Sequence, residues 1–504
     1  MPTYRELQNG SDIRGVAMEG IAGQSVNLTP EAVRDIAGGF AVWLRQKKAA
    51  SPLRVAVGRD SRLSGLELSD AFCRALANNG IEVSDFGLAS TPAMFMSTVT
   101  PGFEYDAAVM LTASHLPFNR NGLKFFTSEG GLDKVDISAI LDNAEKGLSI
   151  SGDGHCQSVD FMPTYAAQLA DTIRSHVQAD DYEHPLKGFH IVVDAGNGAG
   201  GFYASQVLAP LGADISGSQF LEPDGRFPNH IPNPENADAV AALRDAVLTH
   251  HADLGLIFDT DVDRGAAMDA DGNEINRNRL IAMIAAILLE ETPNCGIVTD
   301  SITSSGLHDF VTARGGVHHR FKRGYKNVIN EAKRLNAEGG NFLAAIETSG
   351  HGALKENYFL DDGAYLVTRL VIKMAQLAKT GQSLSALIAD LSEPAESHEF
   401  RMNILSGDFA AYGKRVLESV AAHAASDATW NVAPDNYEGI RVSFDANNGD
   451  GWFLLRMSLH DPLMPLNIES NSIGGAATIA RSILSALEGF DQLDLSPLQD
   501  FVEA

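Results

Sequence analysis

Three aspartates close an apolar stretch in Leu254-Gly-Leu-Ile-Phe-Asp-Thr-Asp-Val-Asp-Arg-Gly, at positions 259, 261 and 263. In extended chain, side chains at i, i+2 and i+4 project to one side, so this spacing predicts three converging carboxylates. Such a cluster repels itself unless a hard cation sits within it, and oxygen ligands favour Mg²⁺ or Ca²⁺. An EF-hand is excluded, because Arg264 and Ala270 stand where its loop needs glycine and glutamate. A solvated acidic turn is the plainer alternative, but acids that end a buried apolar strand favour the metal site.

A second segment, Met110-Leu-Thr-Ala-Ser-His-Leu-Pro-Phe-Asn-Arg-Asn-Gly-Leu-Lys, predicts a strand ending at Thr112. A polar loop with Ser114 and His115 then leads to a strand bearing Lys124. The Gly-x-Ser-x-Gly elbow of hydrolases is absent, and a lone loop serine more often caps a turn. Gly196-Asn-Gly-Ala-Gly-Gly imitates a dinucleotide fingerprint, but no acidic residue is placed for a ribose, so it reads as a tight strand-to-helix turn. Arg456-Met-Ser-Leu-His-Asp offers a guanidinium fork, a hydroxyl and backbone N–H groups, which suits an anion cradle and an ordinary polar turn equally well. Glu347-Thr-Ser-Gly-His351 fits sugar hydroxyls, as it fits any polar loop.

These loops need a scaffold, and the sequence repeats one. A β-branched strand, a Gly- or Ser-bearing loop, a helix, then glycine and a further apolar segment occur at Val55 with Gly80, Ile191 with Gly212, and Ile297 with Gly315. Each copy is a βαβ-type unit, and the long interval implies three related α/β domains rather than a solenoid. Strand-like stretches at 439–444 and 452–458 suggest a smaller α+β domain after them. Seams are expected near 155, 269 and 392, giving domains 1–155, 156–269, 270–392 and 393–504; residues 269–273 also read as a hairpin turn.

At 504 residues, 44% hydrophobic and 20% charged, the composition is that of a core-forming chain of several domains. A net charge of −27 opposes nucleic acid and anionic lipid as partners, so an anionic ligand requires a local basic pocket. Three scattered cysteines, no signal-like apolar run, and a longest apolar run of ten residues at 280–289 point to a soluble cytoplasmic protein.

Taken together, the segments resemble the α-D-phosphohexomutase family, phosphomannomutase/phosphoglucomutase-like. Ser11-Asp-Ile-Arg-Gly resembles its N-terminal arginine loop, Thr112-Ala-Ser-His its phosphoserine loop, and Asp259-x-Asp-x-Asp-Arg its metal loop. Glu347-Thr-Ser-Gly-His resembles the sugar loop and Arg456-x-Ser the phosphate loop; Asp194-Ala-Gly-Asn-Gly and Asp224-Gly-Arg-Phe-Pro-Asn-His-Ile-Pro-Asn-Pro resemble further family stretches. All occur in family order from residue 11 to about 470.

The resemblance implies four domains around a central cleft and reversible transfer of phosphoryl between O1 and O6 of a hexose phosphate. It implies catalytic roles for Ser114, Lys124, Arg14, His115 and His351, and one Mg²⁺ at Ser114, Asp259, Asp261 and Asp263. Substrate contacts would come from Arg264, Lys322, Arg323, Glu347, Ser349, Arg456, Ser458 and His460, with a hexose 1,6-bisphosphate as activator. Departures from the usual pattern fall at Leu116, Ile302, Tyr325, Leu459 and His460 and bear on sugar choice.

The aspartates and a phosphoserine of ~−2 outweigh one divalent cation, so lysines and arginines must line the site. His351 suits a proton acceptor or a histidine that closes the loop, the two being even. Phosphoglucosamine mutase is the nearest alternative, followed by a metal-dependent phosphomonoesterase; a non-catalytic sugar-phosphate sensor would have no need of Ser114 and all three aspartates. Oligomeric state is not legible.

Overall fold

A computed structural model describes residues 3–49, 52–434, 436–458 and 461–503, which leaves His460 and Leu459 outside the described residues. The chain divides into two compact units, one of residues 1–280 with 349–386 and one of residues 281–348 with 387–504.

In the first unit the N-terminal sheet contains β1 (Gln8–Asn9), β2 (Asp12–Val16), β3 (Leu53–Arg59), β4 (Ile81–Leu88), β5 (Ala107–Leu111), β6 (Arg120–Thr127), β7 (Gly130–Gly131) and β8 (Cys156–Ser158). Its order is β1-β2-β6-β5-β3-β4-β8, with β7 on β6. The centre, β5-β3-β4, is parallel, its strands joined by helix-bearing crossovers. β6 returns antiparallel on β5, which turns the Ser114 loop into a wide hairpin. Helices Pro30–Lys47, Gly65–Asn78 and Lys134–Glu145 bury Phe40, Phe72, Leu44 and Ile140 against this sheet. Thr29 caps the first of them through Ala32 N–H, with Pro30 opening the helix. The sheet takes in Cys156–Ser158, beyond the expected seam at 155, because the edge of β4 offers Val83–Asp85 for parallel pairing.

A four-stranded mixed sheet follows, in the order β12-β11-β10-β9: β9 (Ile191–Asp194), β10 (Leu254–Phe258), β11 (Gly265–Asp269) and β12 (Glu274–Ile275). Residues 269–273 are the turn of the β11–β12 hairpin, so this sheet extends past the expected seam at 269. The return segment after Gly212 does not become a strand. It contributes only the single bridges His190 to Asp214 and Asp194 to Gln219, since Gly217 at φ +83° turns the chain between them. A short hairpin of Gly352–Leu354 and Leu360–Asp361 also belongs to this unit.

The end of β9 is braced by a buried ion pair. The Asp194 carboxylate accepts from Gly196 N–H (2.9 Å) and the Gln219 amide (2.8 Å) and lies 3.1 Å from His230 Nε2. His230 Nδ1 points at the Ile231 carbonyl (3.0 Å), so both ring nitrogens face acceptors and the imidazolium is favoured. Burial lowers its pKa, but the hydrogen bond and charge of Asp194, helped by Asp238, raise it overall. Its stabilisation is therefore full below the unfolded value of ~6.5 and fades as pH rises through the raised native value. His230→Gln should lose ~1.5–3 kcal/mol near pH 6, and the deficit in thermal-melt comparisons should narrow in alkaline buffer.

In the second unit, β13 (Gly296–Thr299), β14 (Val317–Arg320) and β15 (Phe342–Ile346) are parallel, with β13 central. The apolar run 280–289 lies within helix Arg277–Glu291, buried as the sequence suggests. The C-terminal sheet is antiparallel throughout, in the order Glu396–Asn403, Leu463–Ser470, Gly451–Leu455, Ile440–Phe444 and Asn431–Val432. Helices Phe409–Ser426 and Gly475–Ala486 pack Val416, Val420, Ile479 and Ile483 onto its Met402–Phe453–Leu466 face. Three α/β/α domains with mixed sheets and a final antiparallel α+β domain thus make up the fold, as expected from the repeat. No helix among the described residues is long and apolar enough to cross a membrane.

Candidate active site

Ser114 lies just beyond β5, buried, with a left-handed φ of +50°. Thr112 Oγ accepts its backbone N–H at 2.9 Å. From this position its Oγ donates to Asp259 Oδ2 at 2.7 Å and receives Arg264 Nη2 at 3.0 Å. His115 turns its Nδ1 to the same hydroxyl at 3.3 Å and meets the Arg264 guanidinium. Burial, then the adjacent Arg264 charge, pushes the His115 imidazole down to about 3, so it stays neutral. Arg14, on β2, holds the Thr112 carbonyl at 2.7 Å while paired with Asp12 at 2.9 Å, and so reaches the root of the serine loop.

The three aspartates converge, but by another route than the extended chain that the spacing suggests. β10 ends at Phe258, and the chain then wraps through a tight turn in which Val262 takes φ +68° before β11 begins at Gly265. A carboxylate oxygen from each of Asp259, Asp261 and Asp263 lies within 4.8 Å of the others, all buried. Lys124, on β6, pairs with Asp261 Oδ2 (3.0 Å) and with Asp263 Oδ2, and Thr91 donates to Asp261 Oδ2. The other oxygens, Asp261 Oδ1 and Asp263 Oδ1, are buried with no hydrogen-bond donor among the described residues. Burial and the charges of Asp263 and Asp261 hold the Asp259 carboxyl well above the usual range. Oxygen-only donors, undonated lone pairs and mutual repulsion all fit one hard divalent cation.

His351 belongs to the same unit. It bridges to Arg264 through the backbone and directs Nδ1 at Asp361 Oδ2, 2.6 Å away. Burial would lower its pKa, yet Asp361 and Asp263 bring it up to about 9. Ser349 is half-buried two residues before it. The first unit therefore assembles Arg14, Ser114, His115, Lys124, the three aspartates, Arg264 and His351.

The second unit carries the other expected residues. Glu347 accepts Gly324 N–H at 2.6 Å. Arg323 sets Nε 3.5 Å from the buried Asp300 and gives its backbone N–H to Glu438 at 3.0 Å. Lys322 lies over the Phe321 ring at 5.8 Å. Arg456 reaches only to 3.9 Å from Glu438, and its buried Nε has no acceptor among the described residues. Ser458 Oγ accepts Asp461 N–H at 3.2 Å. The Arg456 guanidinium is thus thinly paired, and Glu438 also takes the Arg323 backbone N–H.

The partners Asp361, Thr91, Asn233 and Glu438 escape sequence reasoning. Glu438 ties Ser301 Oγ (2.7 Å) to the Arg323 backbone, and Asn233 Oδ1 lies 3.4 Å from Arg264 Nη1. Only the Asp224–Pro234 stretch carried any signal, as an unexplained motif.

Comparison with known proteins matches three family models: phosphoglucomutase/phosphomannomutase alpha/beta/alpha domain I at residues 5–151, domain II at 164–272 and domain III at 276–394. A phosphomannomutase/phosphoglucomutase of Pseudomonas aeruginosa is 31% identical over 483 residues, 95% of each chain. A phosphoglucomutase of Neisseria gonorrhoeae is 29% identical, over 96% of this chain and 97% of its own. Among solved structures, a phosphoglucomutase/phosphomannomutase family protein of Burkholderia thailandensis superposes with TM-score 0.77 at 26% identity, covering 96% of this chain and 98% of its own.

Proposed function

The chain belongs to the phosphoglucomutase/phosphomannomutase family, and on that premise we propose that it is a phosphohexomutase that moves phosphoryl between O1 and O6 of glucose and mannose phosphates. The observation that carries the reading is the Ser114 hydroxyl, set between the Asp259 carboxylate and the Arg264 guanidinium beside a buried triad of aspartates. The names of its relatives favour glucose and mannose over glucosamine.

In this scheme Ser114 carries the phosphoryl group. A sugar hydroxyl attacks the phosphorus, the P–Oγ bond breaks, and the hydroxyl proton passes to a neighbouring base. The resulting hexose 1,6-bisphosphate turns end for end and returns its other phosphoryl to Ser114, so nothing is consumed. Arg264 and Lys124 offset charge on the phosphoryl oxygens as it moves. His351, oriented by Asp361, would handle the proton, while neutral His115 would steady the seryl oxygen. Asp259, Asp261 and Asp263 would hold Mg²⁺, which when bound supplies Lewis-acid stabilisation to the transferring phosphoryl. Arg456, Arg323 and Ser458 are assigned to the phosphate that is not reacting, and Glu347 and Ser349 to sugar hydroxyls; His460 shares that assignment from outside the described residues.

Glucose and mannose 1-phosphates, offered with the cognate bisphosphate, test the reading. Isomerised 6-phosphate supports it; inorganic phosphate released in its place would make the protein a phosphatase. Arg456→Ala should raise KM about ten- to a hundred-fold for 1-phosphates and 6-phosphates alike, the loss of a charged hydrogen-bond pair being ~1.5–3 kcal/mol. Unchanged KM for both in steady-state kinetics would remove Arg456 from the phosphate site.

A further inference from the structure

Ser114 occupies a backbone conformation that L-residues seldom adopt, and the group that holds it there lies outside the reacting set. Arg62, its side chain wholly buried in an ion pair with Asp60, aims both terminal nitrogens at the serine loop. Nη1 donates to the carbonyls of Pro117 (2.7 Å) and Arg120 (3.0 Å), and Nη2 to those of Leu116 (2.6 Å) and Ser114. All four acceptors belong to the span 114–120; its backbone is otherwise held by Leu116 N–H to Ala113 and Arg120 N–H to Pro117, and only at its far end by Ala17 and Met18 N–H on the Asn119 carbonyl and by Arg120 opposite Val16.

Asp60 completes the device from the other side. It accepts Arg62 N–H at 2.9 Å, and its own N–H holds the Leu111 carbonyl at 3.0 Å, next to Thr112, whose hydroxyl accepts Ser114 N–H. The second α/β domain closes over the same arginine. A Cβ on Gly225 would fall 2.5 Å from Ser61 O and Leu63 N and 2.7 Å from Arg62 Cα, and the Phe227 ring lies 5.3 Å from the guanidinium. That contact gives the Asp224-Gly-Arg-Phe-Pro stretch a purpose that the reaction scheme leaves unassigned.

We infer that Arg62 is a positioning residue for the phosphoryl-transfer step: its guanidinium, backed by Asp60 and covered by Gly225 and Phe227, sets the Ser114 loop in the conformation that presents Oγ to Asp259 and Arg264. The inference rests on Ser114 as the phosphoryl carrier. Only a planar fork of donors reaches four carbonyls at once, so lysine retains the charge and loses the geometry.

Full-length Arg62→Lys, assayed with hexose 1-phosphate and bisphosphate, should show kcat lowered at least ten-fold with KM changed less than three-fold. Hydrogen exchange should accelerate in the peptide covering 113–121 and stay at the parent rate in helix Pro30–Lys47 of the same domain. A kcat within two-fold of the parent would overturn the inference, as would equal loosening of both peptides, the mark of a merely structural arginine. Should Arg62→Lys fail to fold, Gly225→Ala, which displaces the 61–63 backbone, must give the same pair of signatures or the inference falls. Ser114→Ala run in parallel separates the two readings. If it stayed active, the carrier assignment would fail, whereas the exchange rates of the 113–121 peptide would still report on Arg62.

Discussion

Ser114→Ala is expected to lose turnover by about 10³-fold or more while folding normally. An alanine has no oxygen on which to carry phosphoryl, and no other hydroxyl lies against Asp259 and Arg264 among the described residues. The fold should survive. The side chain lost is one buried hydroxyl, and the loop's shape depends on Thr112 and Arg62 bonding to backbone atoms that alanine keeps. Circular dichroism alongside steady-state kinetics checks both halves. A Ser114→Ala protein that isomerised sugar phosphate near the parent rate would refute a phosphoseryl enzyme.

The second large effect is expected at the aspartates. Chelation should abolish turnover and Mg²⁺ should restore it. Asp261→Asn and Asp263→Asn should each weaken cation affinity by at least about ten-fold, since each removes one charged oxygen ligand. Stability should respond differently from activity. Buried and within 4.8 Å of one another, the carboxylates repel when no cation is bound, so a single Asn relieves part of that repulsion. Isothermal titration with Mg²⁺ reads the affinity directly, and full activity in metal-free chelated protein would exclude the assignment.

Much of this site is legible in the sequence because its reactive groups cluster in short segments. Asp259, Asp261 and Asp263 lie within five residues, and Ser114 and His115 are adjacent, so residue type and spacing alone single them out. Yet the geometry inferred from spacing was not the one adopted: the acids meet through a turn at Val262 and not along a strand. The three α/β copies were readable from strand–glycine–helix order, although the second return strand after Gly212 reduces to two parallel bridges because the chain turns at Gly217 between them. Tertiary partners were the illegible part. Arg62 lies 52 residues from Ser114 and Asp361 ten from His351, and neither has a spacing that marks it. Glu438 and Ser301 are 137 residues apart, and a side chain serving a remote backbone group leaves no periodic trace.

One measurement bears most directly on the central claim. Enzyme carrying a radiolabelled phosphoryl group on Ser114 is mixed with unlabelled hexose 1-phosphate in a single turnover, and the label is followed by chromatography. Phosphoryl transfer from the serine predicts that the label leaves the protein and appears in hexose bisphosphate and then hexose 6-phosphate. Label that stays on the protein while product forms, or that emerges as inorganic phosphate, would contradict it.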